Sequence, residues 1–137
     1  MKTIYLADDD EDDRMLLREA LVEVIDEVRI VEVCDGAELL KTLRAEVTGS
    51  LPALVLMDIN MPRINGMEAL KMIKSDAGLT NIPVLMMSTL SGEQVVNNAF
   101  EIGICGYFAK PITADEFTRL AEAVDLCFLQ TQHPVDR

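Results

Sequence analysis

Short apolar runs recur along the chain at residues 3–7, 29–34, 53–57, 83–87 and 105–109, each about the length of one β-strand. Between them apolar residues return at i, i+3, i+4 and i+7, as in Leu17, Ala20, Leu21 and Val24 or in Phe117, Leu120, Ala121, Val124 and Phe128, which is the period of an amphipathic helix. The pattern predicts strand then helix, five times over. Runs such as Ala53-Leu54-Val55-Leu56-Met57 lack the alternation of a sheet with one wet face. Strands joined through helices run parallel, and parallel sheets are covered on both faces, so unbroken apolar runs are what such a sheet requires. The expected fold is α/β, a three-layer doubly wound parallel sheet. The units share no sequence self-similarity, so a solenoid is not indicated.

Punctuation supports the same division. Ser91 with Gln94 and Thr113 with Glu116 read as S/T-x-x-E/Q capping boxes ahead of apolar helices. Gly36 and Gly66 stand near the starts of the second and third helices, and Asp76-Ala77-Gly78 with Asn81 and Pro83 breaks the chain before the fourth strand. Residues 1–129 form one domain on this reading, and the polar, aperiodic stretch 130–137 is expected to be a loosely ordered tail.

The length of 137 residues suits a single core. Twelve basic against twenty-four acidic residues give a net charge of -12, a field that opposes direct binding to nucleic acid or anionic lipid. Only Ile4 to Ala7 precede the acids at the N-terminus, too short for a signal peptide or membrane span, so a cytoplasmic location is expected. Cys34, Cys105 and Cys127 are odd in number and without CxxC spacing, which argues against a disulfide framework and for small buried hydrophobes. Met57, Met61, Met67, Met72, Met86 and Met87 are expected to fill the core.

Parallel strands put all their C-terminal ends on one edge, and open α/β sheets bind ligands there. The first strand runs into Asp8-Asp9, the third into Asp58, the fourth into Ser88-Thr89 and the fifth into Lys110-Pro111. Two carboxylates ~4 Å apart repel by about 4 kcal/mol at an effective dielectric near 20, so they must protonate, stay wet or hold a cation. Oxygen donors without nearby His or Cys suit Mg2+ rather than Zn2+; the one histidine, His133, lies in the tail. Of the acidic run, Asp10 reads as a helix N-cap, and Glu11, Asp12 and Asp13 as a solvated face favouring the helix N-terminus.

Four segments together carry a family resemblance: Leu6-Ala7-Asp8-Asp9, Leu56-Met57-Asp58-Ile59-Asn60-Met61-Pro62 followed by Gly66, Ile82-Pro83-Val84-Leu85-Met86-Met87-Ser88, and Tyr107-Phe108-Ala109-Lys110-Pro111. Over residues 3 to about 129 the chain resembles the receiver domain of two-component response regulators, of the stand-alone, chemotaxis type. The resemblance implies strand order 2-1-3-4-5, the flavodoxin-like order. It implies that Asp58 is the phosphoacceptor, that Asp9 and Asp8 are metal ligands with Asp58, and that the backbone carbonyl of Asn60 completes the Mg2+ shell. Ser88 and Lys110 would contact the phosphoryl group, with Ser88 and Tyr107 as the switch pair.

The implied partners are a sensor histidine kinase or phosphotransfer protein upstream, and downstream proteins or a homodimer through a surface including Val95, Val96, Ala99, Tyr107 and parts of 113–129. The DDDEDDR opening and the Asn of DINMP also look similar to small receivers partnered with phytochrome-type kinases. In two places the chain departs from the family's commonest pattern: Ser88 replaces threonine, and Thr89 replaces a smaller residue. Leu90 stands where polar residues accompany fast phosphate loss, so a long-lived phosphoryl group is expected. A Mg2+-dependent phosphatase with an aspartyl-phosphate intermediate is the alternative, although it needs an acid at position 60, where Asn60 stands. A nucleotide carrier would need a Gly-rich loop after the first strand, where Asp8 to Asp13 stand instead.

Overall fold

The computed structural model describes residues 2–46, 53–89 and 92–132, the side chains of 129–132 excepted. Its elements are β1 (Lys2–Ala7), α1 (Glu11–Val24), β2 (Val28–Val33), α2 (Gly36–Glu46), β3 (Ala53–Asp58), α3 (Gly66–Ser75), β4 (Val84–Ser88), α4 (Glu93–Ile102), β5 (Gly106–Ala109) and α5 (Ala114–Gln132). The five strands form one parallel sheet in the order β2-β1-β3-β4-β5. This is the doubly wound, flavodoxin-like architecture.

Each central strand feeds two cores. Ile4 and Leu6 of β1, Leu54 and Leu56 of β3, and Leu85 and Met87 of β4 pack with Leu17 and Leu21 of α1 and with Phe117, Leu120, Val124 and Phe128 of α5. Their neighbours Tyr5, Ala7, Val55, Met57, Val84 and Met86 face the opposite way, onto Leu39, Leu40 and Leu43 of α2, Leu70 and Ile73 of α3, and Ala99 of α4. Side chains alternate between faces along a strand, and both faces are dry, hence the continuous apolar runs. No helix among the described residues is long and apolar enough to cross a membrane.

Several local expectations change. Thr113 and Glu116 do form a reciprocal cap, with Glu116 N–H to Thr113 Oγ1 at 3.1 Å and Thr113 N–H to Glu116 Oε1 at 3.1 Å. The cap of α4 is instead Gly92, without a side-chain bond; Ser91 lies outside the described residues. A capping box not anticipated joins Asn65 and Glu68 at the start of α3. The helix α5 continues through Gln132, past the limit of its apolar period. Cys34 and Cys105 are exposed and Cys127 is half-buried, because Cys34 directly follows edge strand β2 and Cys105 directly precedes edge strand β5. Met72 is also exposed on α3, whereas Ala99, expected on the outer surface, is fully buried. The exposed large apolar side chains of α4 are instead Val95 and Phe100.

Candidate functional site

The chain winds one way from β1 to β2 and the other way from β3 onward, so a crevice opens beyond the ends of β1 and β3. Asp8 leaves β1 with its N–H bonded to Val33 O at 3.1 Å, which extends the strand pairing by one residue and fixes where the carboxylate begins. Arg14 Nη1 holds Asp8 O at 2.7 Å while its Nε reaches Glu32 at 3.2 Å, pinning α1 to the β1 end. Asp58 closes β3, and the Ile59 N–H bond to Met87 O at 3.0 Å carries the pairing past it. Ser88 ends β4, wholly buried, and its carbonyl accepts the Lys110 N–H at 3.0 Å.

Four of the expected site residues therefore meet. Lys110 Nζ lies 2.9 Å from Asp8 Oδ2 and 2.9 Å from Asp58 Oδ2, and Asp9 joins Asp8 and Asp58 in a group whose carboxylate oxygens all lie within 4.8 Å of one another. Ser88 joins Lys110 through the backbone, next to Ala109 in the β4–β5 register. Asn60 is exposed, and its N–H donates to Asp58 Oδ1 at 3.0 Å. Tyr107 is half-buried against the core on the α2, α3 and α4 face, further back along β5. The Lys110-Pro111 bond is trans. Thr89 is exposed, and Leu90 lies outside the described residues.

One residue of the acidic run differs from expectation. Asp13 is not merely part of a solvated face: its Oδ2 accepts a hydrogen bond from Lys110 Nζ at 2.9 Å. Asp10 does cap α1, accepting from the N–H groups of Asp12 and Asp13 at 2.9 and 3.1 Å. A side chain in the first helical turn leans back toward the helix N-terminus, which carries Asp13 over the strand edge. The Asp10-x-x-Asp13 spacing was a usable signal for this; the pairing with a lysine 97 residues away was not.

The electrostatics are those of a site with too many anions. Burial raises the Asp8 carboxyl above its ordinary value, helped by the neighbouring Asp58 charge and opposed by the Asp10 N–H and Lys110. Burial alone would lower the Lys110 ammonium, but its close pairing with the carboxylates of Asp13, Asp8 and Asp58 more than reverses this and raises it. Asp8 Oδ2 is buried without an aligned hydrogen-bond donor, although Lys110 Nζ stands 2.9 Å away; that contact is a charge pairing too oblique for a hydrogen bond. Converging carboxylates from Asp8, Asp9 and Asp58, one of them with an orphaned buried oxygen, fit a hard divalent cation.

A stability test follows from Asp8. A carboxyl raised in the fold contributes stability that is complete below its unfolded value and lost as pH rises through its folded value, so at neutral pH its charge is a net cost. Asp8→Asn should raise the Tm of the cation-free protein by a few degrees at neutral pH and should lose the further rise on adding Mg2+. Thermal unfolding with EDTA or Mg2+ measures both; a lower Tm in EDTA would contradict the argument.

Comparison with known proteins decides the family. The model of the response regulator receiver domain matches residues 4–122. The chain belongs to that family. Receiver domains are signalling modules of two-component systems, in which an aspartate is phosphorylated and a divalent cation binds an acidic pocket. Among curated relatives, this receiver is 30% identical over 123 residues to the probable methanogenesis regulatory protein FilR2 of Methanothrix harundinacea, covering 88% of this chain and 79% of that protein.

Solved structures agree. The phosphorylated cyanobacterial phytochrome response regulator RcpA is 32% identical with a TM-score of 0.83, covering 95% of both chains. The Mn2+-bound form of response regulator Rcp1, a protein of Synechocystis, is 25% identical with a TM-score of 0.81, covering 96% of both. These relatives lend no support to the chemotaxis type: RcpA is a phytochrome response regulator.

Proposed function

We propose that this receiver is phosphorylated on Asp58 by a sensor histidine kinase or phosphotransfer protein in the cytoplasm and signals through protein contacts. One observation carries the reading: the Lys110 ammonium lies 2.9 Å from Asp58 Oδ2, in the carboxylate cluster that Asp8 and Asp9 complete. Asp8, Asp9, Asp58 and the backbone carbonyl of Asn60 would hold Mg2+, which when bound supplies positive charge to offset the phosphoryl oxygens. The Asp58 carboxylate attacks phosphorus, forming an acyl phosphate as the bond to the donor's nitrogen or oxygen breaks and its electron pair leaves with the donor.

Lys110 balances the charge that collects on the phosphoryl oxygens, and Ser88, buried at the end of β4, donates its hydroxyl to one of them. Movement at Ser88 is transmitted to the loop before α4, and Tyr107, half-buried on the adjacent strand, is the ring whose packing changes with it. The likeness to RcpA supports a phytochrome-type kinase as the input rather than a chemotaxis kinase. For output, Val95 and Phe100 on α4 and Ile112 before α5 present the exposed apolar side chains of this face.

The test is chemical. Incubation with acetyl phosphate or phosphoramidate and Mg2+ should add one phosphoryl group by intact mass, and Asp58→Asn should add none. After removal of the donor the label should persist well beyond seconds. Unlabelled wild-type protein, or equal labelling of Asp58→Asn, would remove Asp58 as the acceptor.

A further inference from the structure

Lys110 is shared more widely than phosphoryl binding requires. An ammonium has three N–H donors, and three carboxylate oxygens, from Asp8, Asp13 and Asp58, each stand 2.9 Å from Nζ. Asp8 and Asp58 also belong to the carboxylates that converge as a cation site, whereas Asp13 does not. Asp13 comes from the first turn of α1, with its side chain 34% exposed against 0% for Asp8 and 6% for Asp58. Of the three, it gives up the ammonium at the smallest desolvation cost, since water can replace the lost donor.

We infer that Asp13 is a positioning residue for Lys110: it holds the ammonium toward α1 while Asp58 is unmodified, and cedes that donor when an anionic group arrives on Asp58. The inference rests on Asp58 as phosphoacceptor. Two effects then act with one sign. Asp13 occupies a donor that the phosphoryl oxygens need, and its negative charge opposes theirs across the shared lysine. Asp13 therefore weakens the site's hold on an anion and biases the protein toward its unphosphorylated form. Because Arg14, the next residue, ties α1 to the Asp8 carbonyl and to Glu32, transfer of Lys110 from Asp13 to the anion also loosens one of the ties between α1 and the site.

Beryllofluoride, a phosphoryl analogue that binds carboxylates without chemistry, reads this directly. With Mg2+ present, Asp13→Asn should bind it about tenfold more tightly than wild type, the scale of one charge-assisted hydrogen bond regained. Asp13→Glu should return the affinity toward wild type. In a Lys110→Ala background the same Asp13→Asn change should alter affinity by less than about twofold, because the coupling runs through the ammonium. A merely structural role for Asp13 would leave its effect unchanged in that background.

Circular dichroism verifies that each variant is folded; asparagine keeps the shape and the helix position of Asp13. Wild-type binding with equal or weaker binding by Asp13→Asn overturns the inference and leaves the phosphoacceptor reading standing. Failure of the wild type both to bind beryllofluoride at Asp58 and to be labelled by acetyl phosphate overturns both.

Discussion

Gly66→Ala is expected to cost about 3 kcal/mol or more of folding stability, at the upper end for overpacking, and to abolish labelling of Asp58. A Cβ at position 66 would lie 2.7 Å from Asp58 O and 2.7 Å from Ile59 Cα, backbone atoms that cannot swing aside. The residue has no left-handed φ; its requirement is space alone. The start of α3 needs this approach, since Gly66 N–H bonds Ile59 O at 2.8 Å. To admit a methyl group, α3 or the end of β3 must move, and the end of β3 carries Asp58. The cost therefore falls on fold and site together.

Gly92→Ala is the matched control, because nothing lies within 4 Å of its added Cβ; it should cost no more than about 1 kcal/mol, the scale of a less favourable helix N-cap. Urea unfolding midpoints decide the matter. A wild-type midpoint for Gly66→Ala would mean that α3 is free to shift.

The second large effect concerns Lys110→Met, which removes the ammonium and keeps most of the apolar stem. Asp8, Asp13 and Asp58 then face one another with no lysine between them, and loss of one partner of a buried ionic cluster typically costs about 3–5 kcal/mol. The sign with pH is defined. In the wild type a raised lysine contributes stability that is complete below its unfolded value and lost only as pH rises through its folded value, so at neutral pH it is fully present. In the variant the uncompensated carboxylates must protonate, so the deficit should shrink as pH falls toward about 5. Added Mg2+ should also restore part of it. Urea titrations at neutral and mildly acidic pH, with and without Mg2+, measure these changes; a deficit independent of both would show that the cluster is better hydrated than its burial indicates.

Much of the site was legible because its residues follow strands. Once the apolar runs mark five parallel strands, the residues after them must share an edge, which gathers Asp8, Asp9, Asp58, Ser88 and Lys110 from the sequence alone. The same logic did not reach Asp13. It lies inside a helix, where an acid near the N-terminus has an ordinary local explanation, and its partner Lys110 comes from the far end of the chain. Arg14 was missed for a similar reason, since an arginine on an acidic helix reads as solvated until Asp8 O and Glu32 are seen beside it.

The cysteines show another boundary of sequence reasoning. Residue type predicts burial on average, but Cys34 and Cys105 flank the two edge strands, and which strands are edges depends on the sheet order.

Periodicity and turn chemistry by themselves determined the five βα units, the parallel sheet and the gathering of acids and a lysine at one edge, because these follow from local geometry and from the need to cover both faces of such a sheet. Tertiary structure alone decided how many carboxylates share one ammonium, which of their oxygens is left without a donor, and how closely α3 approaches the end of β3. Those quantities depend on sub-ångström to few-ångström separations between residues distant in the chain, and no local pattern encodes them.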